Sequence, residues 1–229
     1  MSVLAFGQTE NKNSVQFSYG LSHSRLIDDG YSRNLLFRGT NSKFFLGYAR
    51  ESDDYRFRFS IESSLGTVKS KSENLPSKFY TAQPSLEYSR KAGPGNLYVG
   101  PGLKSTNYLI INQPIFDNAS LVSLHGLYIN VTRDIRNLRL SYALPVAVYD
   151  NRVLWNGGAS ELAFEDLETP LRVFTTNGSF HYFDLSNIQL RADYIKSIGQ
   201  KADFIAGYQF RYFKHFYSNE ITAGLKIHF

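Results

Sequence analysis

The chain has 229 residues with 25 Lys and Arg against 20 Asp and Glu, a formal charge of +5, and 16 Tyr, 18 Phe, 17 Gly and no Cys. The lack of cysteine excludes a disulfide framework and a thiolate metal site, and a mean hydropathy of −0.30 with no apolar run near the ~18 residues of a spanning helix excludes a helical membrane protein. The basic residues are dispersed, with no basic tract and no nucleic-acid-binding motif, so nucleic acid is not an expected partner.

The first residues read MSVLAFGQTENKN, a short small and apolar stretch, Ser2 to Gly7, ahead of polar residues. This is the pattern of the tail of a secretory signal with cleavage before Gln8, so residues 1–7 are expected to be a signal remnant and 8–229 one domain. Period-two alternation then recurs along the chain, the mark of strands with chemically different faces. Val15, Phe17, Tyr19 and Leu21 form the first apolar row. Tyr55, Phe57, Phe59, Ile61 and Leu65 alternate with Arg56, Arg58, Ser60, Glu62 and Ser64, and Tyr80 to Tyr88 alternates with Gln83 and Glu87. Leu138, Leu140, Tyr142 and Leu144 alternate with Arg139, and Ile188, Leu190, Ala192 and Tyr194 with Gln189, Arg191 and Asp193.

Such rows suit a soluble sandwich as well as a barrel. The segments are about ten residues or longer, the length that crosses a bilayer at a tilt, whereas soluble strands run to ~5–6. Tyr80 and Tyr88 bracket one row at about 20 Å, near the ~25 Å between aromatic girdles. Short connections are expected at 51–54, 91–95, 133–137 and 185–187, and long ones at 22–35, 66–77, 111–118 and 150–170. That alternation yields an all-β, antiparallel transmembrane β-barrel of about 10 strands, provided 188–210 is one long strand before the chain returns through 217–229. The alternative is 12 strands, with 31–39 as a strand and the long one split into a hairpin.

The chain closes on ITAGLKIHF, with Ile221, Ala223, Leu225, Ile227 and Phe229 in one row. This segment resembles the C-terminal assembly signal of bacterial outer-membrane β-barrel proteins, and NLYVGPGLKSTNYLI and LAFGQ resemble uncharacterised barrel proteins of Bacteroidota. The resemblance implies an outer-membrane location, reading of the last strand by the barrel assembly machinery, and lipopolysaccharide as a neighbour, while the alternation of short and long connections puts both termini on the periplasmic side.

The groups expected inside are Arg56, Arg58, Glu62, Gln83, Glu87, Arg139, Gln189, Arg191, Asp193, Arg211 and Lys226. They suit a network of ion pairs that fills the lumen, and equally a basic path for small anions. LSHSRLIDDG places His23, Ser24, Asp28 and Asp29 near the outer rim, where a hydrolase would keep its machinery, but a polar Asx-rich loop accounts for the stretch without chemistry. The five His show no metal-ligand spacing, so neither a metal nor a cofactor is expected. Of the two GPG segments, 93–95 reads as a turn and 100–102 as a kink or bulge at Pro101. The 150–170 loop, with Leu154, Trp155 and Phe164, is a lid or a surface for a protein partner. The expected role is a non-catalytic structural or accessory subunit of an outer-membrane assembly, with a narrow channel for small anionic solutes as the alternative and an outer-membrane hydrolase as the third reading.

Overall fold

A computed structural model describes residues 12–28, 35–70, 76–93, 95–112, 118–156, 178–185, 187–213 and 216–229. The strands are β1 (Lys12–Asp28), β2 (Leu35–Glu51), β3 (Tyr55–Ser70), β4 (Pro76–Gly93), β5 (Leu97–Asn112), β6 (Asn118–Ile135), β7 (Leu138–Asn156), β8 (Ser179–Tyr182), β9 (Ile188–Ser197), β10 (Ala202–Phe213) and β11 (Phe216–His228). Each pairs antiparallel with its neighbours, and β1 pairs with β11 from Ser14↔His228 to Leu26↔Phe216. Ten strands therefore close a barrel: β1 to β7, then β9, β10 and β11. β8 lies beside β7 above β9, so β8 and β9 together make one interrupted strand.

Local chemistry fixes the tight end. In the 52–54 turn the Ser52 hydroxyl accepts from the Asp54 and Tyr55 amides. Gly95 and Asn96, at φ +79° and +55°, turn the chain into β5, and Arg136, at φ +53°, turns it into β7. Turns at 52–54, 95–96, 136–137 and 198–201 share this end, while longer connections follow β1, β3, β5 and β7 at the other. We call these the inner and outer ends.

Ten strands is the number expected from the sequence, but not by the expected route. Residues 188–210 are not one strand: β9 and β10 form a hairpin around 198–201, and Leu185 and Asn187, of the short connection expected there, lie in the interruption between β8 and β9. The four-residue turn preserves side-chain parity, so Leu190 and Tyr194 before it and Tyr208 and Tyr212 after it all face outward and read as one continuous row. The twelve-strand count fails for the same reason, since its hairpin replaces a strand instead of adding one. The interruption faces the β-bulge where Tyr128 pairs with Pro145 and Leu127 with Ala147, and Pro145 has no N–H to offer a ladder. There the Phe183 amide donates to the Val146 carbonyl, with Phe183 at φ +49°.

Pro101 is not a kink: β5 keeps one register with β6 from Leu97 to Asn112, and the β4–β5 shift falls between Lys91 and Gly93. The connections expected at 22–35, 66–77 and 111–118 are shorter, because β1, β3 and β5 run on to Asp28, Ser70 and Asn112. Residues 1–7 and Gln8 lie outside the described residues.

Val15, Phe17, Tyr19 and Leu21, the β3 row with Phe59, Ile61 and Leu65, Tyr80, Leu86 and Tyr88, and Ile221, Leu225, Ile227 and Phe229 are all exposed on the outer wall. The intervening residues of each strand point into the lumen and are largely buried. An apolar exterior around a polar interior inverts a soluble protein, and the wall is the bilayer-facing surface of a membrane barrel.

Candidate functional site in the lumen

All eleven groups expected inside face the lumen, and the barrel gathers most of them, though not Arg58 or Gln83, into two clusters. In the middle, Glu62 of β3 takes Lys43 of β2 at 2.7 Å, Arg191 of β9 at 3.5 Å and Arg211 of β10. Glu220 of β11 takes Lys43 and Arg211, each at 3.0 Å, and the Ser218 hydroxyl at 2.8 Å. Arg191 also pairs with Asp193 at 2.8 Å. Toward the inner end, Arg139 of β7 joins Glu51 of β2 at 2.7 Å and Asp134 of β6 at 3.0 Å. Lys226 reaches Glu51 at 3.0 Å, and Arg56 pairs with Asp134 while its guanidinium lies 3.6 Å from the Tyr98 ring centre. Glu87 pairs with Lys104 at 2.8 Å, and Lys104 donates to Gln189 at 3.4 Å.

The topology gives these pairs their meaning. β2 and β7 stand five strands apart in the ring of ten, as do β3 and β9, so Glu51–Arg139 and Glu62–Arg191 cross the lumen from wall to wall. Buried charges are tolerated only when paired, and here the partner comes from the opposite wall. Sequence reading missed Lys43, Glu51, Lys104, Asp134 and Glu220. Lys43 lies in SKFFLGYARE, where flanking aromatics hide the alternation, and Glu51 and Asp134 lie beside turns and read as turn residues.

The outer part of the lumen is filled differently. Leu26, Phe37, Val68, Phe79, Tyr108, Ile110, Leu124, Phe213 and Phe216 form a buried cluster inside the barrel. Phe216 of β11 stacks on Tyr108 of β5 at 5.4 Å and lies 6.0 Å from Phe79 of β4. β5 and β11 are also five strands apart, so this level is bridged too.

Between the clusters three small cavities of about 30, 20 and 10 Å³ remain, each with room for little more than a water molecule. Arg58 lines all three. It is directly opposite Glu87 in the β3–β4 register, but Glu87 is taken by Lys104.

Other candidates are not assembled. His23 is on the exterior, its Nδ1 3.2 Å from the Thr40 hydroxyl, whereas Ser24 faces the lumen 3.2 Å from the Ser22 hydroxyl. Consecutive residues of a strand point to opposite faces, so the two form no dyad. Asp28 ends β1, with its side chain outside the described residues, as is Asp29. Leu154 and Trp155 belong to the end of β7, not to a loop, but their side chains and all of Phe164 lie outside the described residues. Among the described residues no group of His, Asp and Glu could hold a metal ion.

A closed antiparallel barrel, apolar outside and ionic within, is the fold of bacterial outer-membrane β-barrels. The outer membrane protease OmpT from Escherichia coli is similar in fold, with a TM-score of 0.57 at 10% identity over 97% of this chain and 98% of that one. The translocator domain of the autotransporter NalP from Neisseria meningitidis aligns with a TM-score of 0.48 at 11% identity, over 95% of this chain and 88% of that one. No protein-family model and no curated protein sequence matches this chain. The fold points to the bacterial outer membrane.

Proposed function

We propose that this chain is a non-catalytic barrel of the outer membrane that serves as a structural or accessory subunit of a larger outer-membrane assembly. The observation that carries this reading is the bridged lumen: ion pairs in the middle and at the inner end, and aromatic stacking at the outer end, each joining strands five apart. A barrel so filled offers its surface, not its interior. The surface it offers is β8 and the segment after it, where Phe180, Tyr182, Phe183 and Leu185 are all exposed. Phe180 leans over an apolar hollow of about 550 Å³ on the outer wall, lined by Leu86, Leu103 and Leu127 among others.

In this reading the short turns and both termini are periplasmic and the long connections face outward beside lipopolysaccharide. The barrel assembly machinery reads Ile221, Ala223, Leu225, Ile227 and Phe229 on β11, and the host belongs to the Bacteroidota. The likeness to a protease barrel transfers no activity at 10% identity, and the separation of His23 from Ser24 supports the non-catalytic reading. Ser24→Ala is expected to change no lipid or peptide turnover.

The test is single-channel conductance of the refolded barrel in a planar bilayer, together with extraction in mild detergent. Silence in the bilayer and a stoichiometric partner in the extract are expected. Discrete openings would overturn the reading in favour of a narrow anion channel, which Arg58 on all three cavities favours; their anion preference would then shift in Arg56→Ser and Arg58→Ser.

A further inference from the structure

Among the described residues the middle and inner parts of the lumen hold eight cationic side chains against six carboxylates: Lys43, Arg56, Arg58, Lys104, Arg139, Arg191, Arg211 and Lys226 face Glu51, Glu62, Glu87, Asp134, Asp193 and Glu220. The pair His228–Asp203 sits apart at the inner rim, at 2.7 Å. Seven of the eight cations lie within 4.0 Å of a carboxylate. Arg58 does not: among the described residues it has neither an ion pair nor a hydrogen bond. Glu87, opposite it in register, is committed to Lys104, and Glu51, with it beside one of the cavities, to Arg139 and Lys226. An unpaired guanidinium is costly to enclose, and the cost falls if a counter-charge enters with it.

The largest of the three lumen cavities beside Arg58 has further donors in its lining. Asn130 and Gln189 both line it, and Asn130 Nδ2 and Gln189 Nε2 are buried without a partner, on side chains only 6% and 4% exposed. Gln189 cannot improve matters by turning its amide, because its Oε1 accepts from Lys104. Gln83, in the same wall, has an unpartnered Oε1 and is free to turn its NH₂ inward. The Asn130 amide has room to reach in because residue 102 is Gly: a Cβ there would lie 2.0 Å from Nδ2. A guanidinium and two side chains with orphaned amide donors border about 30 Å³, where the Glu62 and Glu87 carboxylates of the same lining are already committed to Lys43 and Lys104, and this describes a place for a compact anion.

We propose that the barrel binds one monovalent anion of halide size inside its lumen, between Arg58 of β3, Asn130 of β6 and Gln189 of β9. The anion is a structural ligand that neutralises Arg58 and ties three strands together. It does not require the accessory role, and a silent barrel carries it as well as a conducting one.

The test uses the refolded full chain in detergent, dialysed free of halide. At constant ionic strength, replacing gluconate by chloride should raise the thermal unfolding midpoint by roughly 2–4 °C, saturating with concentration. Arg58→Gln should abolish the chloride-dependent rise. Asn130→Asp, which supplies a fixed carboxylate in place of the anion, should fold without halide and also lose the rise, so the inference survives if the Arg58 variant fails to fold. Crystals soaked in bromide should give one anomalous peak among the three residues. An unfolding midpoint indifferent to chloride, a rise of equal size in Asn130→Asp, or a cavity holding only water after the soak would each overturn the proposal.

Discussion

The outer and inner parts of the lumen are enclosed by the same ten strands but filled by opposite chemistries. At the outer end Phe79, Ile110 and Phe216 pack without needing specific partners. In the middle, Lys43, Glu62, Arg211 and Glu220 are equally buried, yet each is tolerable only because the others are present. Apolar filling is forgiving of sequence, since volume is what matters. Ionic filling is not, because removing one member leaves a charge stranded. The difference predicts where the barrel is fragile and where it is robust.

The largest effect is expected at Glu62. Glu62→Ala leaves Arg191 with Asp193 alone and Lys43 and Arg211 to share Glu220, and should cost about 3–5 kcal/mol in denaturant unfolding from micelles. Replacing Lys43, Glu62, Arg211 and Glu220 together by Met and Leu removes the whole charge set at similar volume and should be neutral or stabilising. If the fourfold variant were as unstable as the single one, the contrast between the two halves would collapse. Phe79→Ala comes close behind. Its fully buried ring leaves a void when removed, for about 3–4 kcal/mol in the same measurement.

The same contrast decides what could be read from the sequence. Alternation was plain in β3, where Arg56, Arg58 and Glu62 separate Phe57, Phe59 and Ile61. It vanishes where the lumen is apolar, because inner and outer rows are then alike: Phe79 faces in and Tyr80 out, Phe216 in and Tyr217 out. The strand ends beyond residues 21, 65 and 110 were accordingly expected to be loops, although β1, β3 and β5 continue. The inward charges were legible one by one, but not their pairing. Glu51 with Arg139 spans 88 positions, and Arg211 with Glu62 spans 149, distances over which only strand order decides who meets whom. Arg58 illustrates the limit, since register sets it opposite Glu87 and only the third side chain, Lys104, explains why they do not pair.

The smallest expected effect concerns Phe183, which belongs to neither kind of filling. Its ring is 66% exposed and its backbone holds φ at +49°, a conformation that costs a bulky side chain about 1 kcal/mol. Asn and Gly tolerate that conformation far better. Phe183→Asn should therefore stabilise the isolated barrel by about 0.5–1 kcal/mol, read as a rise in the denaturant midpoint at unchanged slope. A residue that strains the backbone and buries little is not placed there for the barrel's own stability, and with Phe180 and Tyr182 beside it the ring is available to something outside. On the accessory reading the same substitution should weaken co-extraction of the partner while strengthening the barrel. A variant that gained stability and kept its partner would remove the aromatic segment from the docking surface; one that lost stability would show that the ring packs against the chain itself.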